Sequence, residues 1–218
     1  MESISHDITT PIRFIVTISQ ELDKEKDSEL QKQYFNEIYK TSEQLYKFTS
    51  DLKEYTKLFK EDSIFEEEVY PLYDLLENKK VLYEQIALKN KVMIINNCDR
   101  YISTIINKNI LSAIFHNLLD NAAKYTENGT IEIISTTIGN YIEIGIFDSG
   151  KGMSEEQILY YNEVFNNMDA HQFVFKDYGF GLHMIIQLVK KIDAKISFHK
   201  NTPSGTIVKV LIKENPRA

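Results

Sequence analysis

The feature that most restricts what this chain can fold into is a heptad register running through residues 29–60. Ile38, Leu45, Leu52 and Phe59 recur every seven residues, and Tyr34, Thr41, Phe48 and Tyr55 recur at the same interval, offset by four. That period predicts one long helix with a single apolar seam. Residues 3–23 carry the same signal, since Ile4, Ile8, Pro11, Ile15, Ile18 and Leu22 step by four, three, four, three and four. Pro11 removes a backbone donor inside this first helix and predicts a local kink. The charged run from Asp23 to Ser28 predicts a turn, with Ser28 capping the second helix. Two heptad helices joined by a short loop make an antiparallel hairpin. Alone, it buries one side of each helix; two copies pairing as a four-helix bundle cover the seam, so a homodimer is expected. Folding the hairpin onto its own C-terminal domain leaves the seam partly covered.

Beyond Glu61-Asp62-Ser63 the period changes, which sets two domains, 1–61 and 62–218. The second reads as a strand at 64–69, a helix at 71–89, a strand at 92–96 and a mostly helical stretch at 105–125. Strands 130–138 and 141–147 flank the tight Gly139-Asn140 connection, a hairpin signal. Helices at 155–165 and 179–192 and strands at 195–199 and 206–212 complete an α+β sandwich, helices on one face of a mixed sheet. The expected architecture is therefore multidomain: a helical hairpin, then an α/β sandwich.

Composition narrows the function classes. The 218 residues are 43% apolar and 26% charged, with a formal net charge of −7, which argues against a broad nucleic-acid or anionic-membrane surface. The single cysteine, Cys98, excludes an internal disulfide, and no Cys/His cluster points to zinc. No apolar run reaches the ~18–20 residues of a membrane span. A cytoplasmic setting fits, without membrane contact by these residues. The first helix opens at the first residues, which leads us to expect a preceding segment, and with it a membrane anchor.

Three stretches of the second half carry possible chemistry. Asn117, Asn121 and Lys124 are spaced by four and three on one helix and share a face. The two Asn carbonyls suit Mg²⁺, which takes its remaining ligands from water and phosphate; Lys124 adds a positive charge and Tyr125 a ring. The same pattern also suits the wet face of an amphipathic helix whose dry face is Ile114, Leu118 and Ala122. Asp148 ends the strand Ile142, Ile144, Ile146 and meets Ser149-Gly150-Lys151-Gly152. A carboxylate at the buried end of a strand needs a partner, and the exocyclic amine of adenine is one; a plain glycine turn reads equally well. Gly179-Phe180-Gly181-Leu182 opens a helix, where free N–H groups and the dipole favour phosphate oxygens. No GxxxxGK[ST] P-loop occurs. Residues 166–178, with Phe173, Phe175 and Tyr178, read as a mobile lid, or equally as a packed loop.

Taken in order with Ser5-His6-Asp7-Ile8-Thr9-Thr10-Pro11, these stretches resemble the sensor histidine kinases over essentially the whole chain. Residues 5–11 resemble the phosphoacceptor box S-H-[ED]-x-x-T-P, and 117–125 the N-box N-L-L-x-N-A-x-K-[YF]. Residues 148–152 match the first glycine box, D-x-G-x-G, residues 179–182 the core of the second, and Gly205-Thr206 the late G-T that helps hold adenine. Two departures stand out: Asp177-Tyr178 where a further glycine is common, and no clean phenylalanine motif among Phe165, Phe173 and Phe175.

The resemblance implies ATP in a Bergerat-type pocket and His6 as phosphoacceptor, with Asp7 orienting or deprotonating it. Adjacent helix positions do not normally face each other, so this requires the bending that Pro11 permits. Asn117 and Asn121 would serve Mg²⁺, Lys124 and Tyr125 would contact phosphate and nucleotide, and Asp148 would read adenine. Gly150, Gly152, Gly179, Gly181, Leu182 and Thr206 would shape the pocket. Thr10 would position water when the kinase dephosphorylates its partner, a response regulator whose aspartate receives the phosphoryl group. Related ATPases of this fold carry a water-activating Glu where Asn117 stands, so transfer to a side chain is expected rather than hydrolysis. The competing readings are an inactive nucleotide-binding signalling module and an ATPase of the same superfamily.

Overall fold

The computed structural model describes residues 2–60, 68–167 and 180–214, with side chains described for 8–59, 68–166 and 181–214. The strand expected to start at Ile64, the lid residues Phe173, Phe175 and Tyr178, Gly179, and the side chains of His6 and Asp7 lie outside them.

The first unit is a hairpin of α1 (Glu2–Lys24) and α2 (Ser28–Lys60). Its turn is closed by Asp27, whose carboxylate accepts the N–H groups of Glu29 (2.8 Å) and Leu30 (3.2 Å). Asp27, not Ser28, is therefore the residue that caps α2: the helix starts one residue earlier than its apolar periodicity. The seam follows the heptad. Ile8, Pro11, Ile15, Ile18 and Leu22 on α1, and Tyr34, Ile38, Leu45, Phe48 and Leu52 on α2, are half-buried, and Tyr55 is buried. Half-burial is what two helices alone can give.

The second unit begins with β1 (Tyr70–Pro71), paired antiparallel with β3 (Ser103–Thr104). Between them lie α3 (Leu72–Lys89) and β2 (Met93–Asn97). Two-residue strands carry no periodicity, so this small sheet is missing from the sequence pattern; it is fixed instead by Tyr70, whose buried hydroxyl donates to the Ile106 carbonyl at 2.7 Å. Next come α4 (Lys108–Tyr125), β4 (Thr130–Ile138), β5 (Tyr141–Asp148), α5 (Glu155–Asn167), α6 (Phe180–Lys191), β6 (Lys195–Lys200) and β7 (Thr206–Lys213). Helix α4 starts three residues later than the apolar pattern because Asn107 caps it, accepting from the Asn109 and Ile110 N–H groups at 2.9 and 3.1 Å. A reciprocal capping box opens α5: Gln157 N–H donates to the Ser154 hydroxyl and Ser154 N–H to the Gln157 side chain.

Five strands form a mixed sheet in the order β2-β4-β5-β7-β6, with β2 and β4 parallel and the rest antiparallel. Helix α3 packs on α4 and β2, and α5 on β6. Alternation along β5 sends Ile142, Ile144 and Ile146 to the buried face, where Ile131, Ile133, Val210, Ile212, Ile196 and Phe198 join them. Each such side chain contributes about 1.5–3 kcal/mol by leaving water. The same alternation puts Asp148 on that face, at the end of the strand.

Candidate functional site

Asp148 is a carboxylate on the core side of a sheet, 8% exposed. Burial pushes its pKa up from the usual carboxylate value, and two backbone donors counteract that. Both reach the same oxygen: Oδ1 accepts the N–H of Gly150 at 2.9 Å and of Thr206 at 3.1 Å. Oδ2 takes no hydrogen bond from the described residues. The Asp148 backbone oxygen is held too, by the Asn201 side-chain amide at 2.8 Å. One loop end (149–152) and the start of β7 thus fix the carboxylate from two sides while one oxygen keeps its lone pairs for something else.

The loop after Asp148 is pressed against the end of α4. Lys151 N–H donates to the Tyr125 carbonyl at 3.1 Å, and a Cβ on Gly150 would lie 2.2 Å from that same oxygen, so only glycine fits there. The Lys151 ammonium stands 4.5 Å from the centre of the Tyr125 ring, a cation–π contact at the rim, with Tyr125 itself 53% exposed. The buried Thr126 hydroxyl finds no hydrogen-bond partner among the described residues. Thr206 closes the remaining side: its hydroxyl accepts the Met153 N–H at 3.2 Å, and Gly152 adopts a φ of 72° against the carbonyl of Gly205. Tyr125, Asp148, Gly150, Gly152 and Thr206, distant in sequence, therefore converge.

Two turns back along α4, Asn117 donates its amide to the Ala113 carbonyl at 2.9 Å, which fixes the side chain in one orientation. Its Oδ1 lies 3.7 Å from where a Cβ on Gly181 would stand, so the first turn of α6 comes against the middle of α4. Leu182 follows, half-buried. Asn121 is half-buried and its amide makes no hydrogen bond to the described residues. Lys124 is not simply a solvated cation: it forms an ion pair with Asp120, one turn earlier. Asn117 and Tyr125 are eight residues apart, about 12 Å along the helix. Among the described residues no three His, Cys, Asp or Glu side chains cluster as a metal site.

On the hairpin, His6 and Asp7 occupy α1, and Thr10 is exposed on the same helix. Sequence reasoning passed over Asn201, Lys151 and Asp120. Asn201 had a signal in the turn-rich Asn-Thr-Pro-Ser-Gly stretch; the other two act through contacts that spacing alone does not single out.

The family model for histidine kinase-, DNA gyrase B- and HSP90-like ATPases matches residues 106–216, half of the chain, and that for the His Kinase A phospho-acceptor domain matches residues 1–58. The chain belongs to the histidine kinase family. The kinase core is 26% identical over 216 residues to the heme sensor protein HssS of Staphylococcus aureus, covering 99% of this chain and 46% of that protein. It spans less than half the length of such relatives. Among solved structures it resembles the histidine kinase AdeS of Acinetobacter baumannii, with 19% identity, a TM-score of 0.66, and coverage of 97% of this chain and 98% of that one. It also resembles the histidine kinase ThkA crystallised in complex with the response regulator protein TrrA, with 21% identity, a TM-score of 0.71, and coverage of 99% of this chain and 61% of that one. Among the described residues no helix is long and apolar enough to cross a membrane.

Proposed function

We propose that this kinase core moves the γ-phosphoryl group of ATP onto His6 and then onto an aspartate of a response regulator. The observation that carries the nucleotide half is Asp148: Oδ1 is saturated by two N–H groups while Oδ2 has none from the described residues. A fixed acceptor in an apolar wall suits the exocyclic amine of adenine, and guanine, with a carbonyl at that ring position, would set two acceptors against each other. Tyr125, Gly150, Gly152 and Thr206 form the rim, and Asn117, Asn121, Lys124, Gly181 and Leu182 the phosphate end.

Asn117 and Asn121 would hold Mg²⁺, and their state fits: the Asn117 amide is committed to Ala113, which leaves its oxygen as the outward group, and the Asn121 amide is uncommitted among the described residues. When bound, the ion neutralises charge on the transferred phosphate. At the acceptor, a ring nitrogen of neutral His6 uses its lone pair to form the N–P bond as the bond from γ-phosphorus to the bridging oxygen breaks, releasing ADP. The proton on the other ring nitrogen passes to Asp7 or water. An imidazole with a pKa near ~6.5 is largely neutral near pH 7, so catalysis is chiefly positioning.

The partly covered hairpin seam supports a homodimer, for which sedimentation at twice the chain mass is the check. Domain limits of 1–61 and 62–218, a role for Thr10 in dephosphorylating the regulator, and a place in the cytoplasmic part of a longer, membrane-anchored sensor belong to the same reading.

Incubation with γ-labelled ATP and Mg²⁺ tests it. Acid-labile, alkali-stable label on the protein, absent from His6→Gln, is the expected result. Bound nucleotide without label would leave a binding module, and label released as free phosphate from both proteins would leave an ATPase.

A further inference from the structure

Lys124 reaches the phosphate end of this pocket only if its long side chain is aimed there, and the structure shows what aims it. Side chains on a helix lean towards its N-terminus, so a residue at 124 covers the turn around 120–121. There the ammonium is paired with the carboxylate of Asp120. Asp120 is the firmer partner, its side chain 18% exposed against 45% for Lys124. Acid four residues before base is also the favourable order on a helix. The result is a cation held to the turn that carries Asp120, on the helix whose Asn117 and Asn121 share a face.

We propose that Asp120 is a positioning residue for the nucleotide phosphates, acting through Lys124. This rests on the reading of Lys124 as a phosphate ligand. An ammonium carries three N–H donors, so one group can bridge a carboxylate and phosphate oxygens at once. Anchoring it before the nucleotide arrives removes rotamer freedom that binding would otherwise have to remove. Asp120 is itself negative, and without Lys124 it would repel the triphosphate. Its effect on binding therefore changes sign with the presence of Lys124.

That reversal is the test. ADP with Mg²⁺ is titrated calorimetrically into the parent, Asp120→Asn, Lys124→Met and the double variant, with thermal unfolding of each as a check on folding. Asp120→Asn is expected to weaken ADP binding threefold to tenfold, on the order of the cost of immobilising one long side chain. In the Lys124→Met background the same change should leave binding unaltered or strengthen it. Weakening in both backgrounds would show a general structural role for Asp120, and strengthening in both would show plain repulsion; either overturns the proposal. If Lys124→Met binds ADP as well as the parent, the reading of Lys124 as a phosphate ligand fails instead, and if the parent binds no ADP, the nucleotide reading fails.

Discussion

Gly205 lies so close to Asp148 that a Cβ built on it would fall 1.9 Å from the Asp148 backbone oxygen and 3.0 Å from Oδ1. Its φ is +106°, in the range L side chains rarely adopt. The turn before β7 and the end of β5 are thus in backbone contact, and that contact delivers Thr206 N–H to the carboxylate.

Gly205→Ala should therefore damage both fold and pocket. The methyl group pushes first against the Asp148 backbone and then against its carboxylate, so β7 must shift and the hydrogen bond from Thr206 to Asp148 is lost. We expect a cost of about 3 kcal/mol or more and loss of nucleotide binding. Gly139→Ala is the matched control: φ is 61°, but nothing lies within 4 Å of the new Cβ, and the cost should be about 1 kcal/mol. Equal urea midpoints for the two variants would show that the close approach is unimportant.

If Asp148 holds the adenine amine as proposed, the domain should show two opposite pH dependences. Its folded-state pKa is raised by burial above the ordinary 3.8. A carboxyl shifted that way contributes stability that is fully present below the ordinary value and is lost as pH rises through the raised one. With Oδ1 filled by two N–H groups, a proton on this carboxyl goes to Oδ2 and weakens the acceptor left for an adenine amine, so nucleotide binding is expected to strengthen across that same window. Denaturant unfolding of the nucleotide-free domain and ADP titrations over the window should show the two slopes with opposite signs. Asp148→Asn should lose the Asp148 contribution to both, and an unchanged binding profile in that variant would disconnect Asp148 from the base.

The hairpin and sheet were readable from sequence because both rest on periods that burial imposes. The heptad seam returned as the half-buried stripe, and alternation in β5 placed Asp148 on the buried face. The N-box spacing put Asn117, Asn121 and Lys124 on one face of α4. Capping resolved boundaries that periodicity left blurred: Asp27 and Asn107 begin their helices by accepting backbone N–H groups, a local geometry to which apolar spacing is blind. Contacts such as Asn201 to the Asp148 backbone join residues 53 apart and have no spacing signal at all. The ion pair of Asp120 and Lys124 has an ordinary helical spacing, and spacing alone does not single it out.

Asn162 makes the last prediction. Strand β6 is an edge of the five-stranded sheet, and an edge leaves backbone groups open to another chain. Asn162 on α5 covers part of it with one amide: its Nδ2 donates to the Phe198 carbonyl at 2.9 Å and its Oδ1 accepts the Phe198 N–H at 3.0 Å. The side chain thus imitates a neighbouring strand while its helix packs on β6. Asn162→Ala strands both backbone groups and should cost about 2–3 kcal/mol. Asn162→Asp keeps the acceptor but sets a carboxylate oxygen against the Phe198 carbonyl, so a loss no smaller than that of Asn162→Ala is expected, with Phe198 N–H still protected from hydrogen exchange. Exchange at Phe198 that is as slow in Asn162→Ala as in the parent would mean that packing, not this pair of hydrogen bonds, closes the edge.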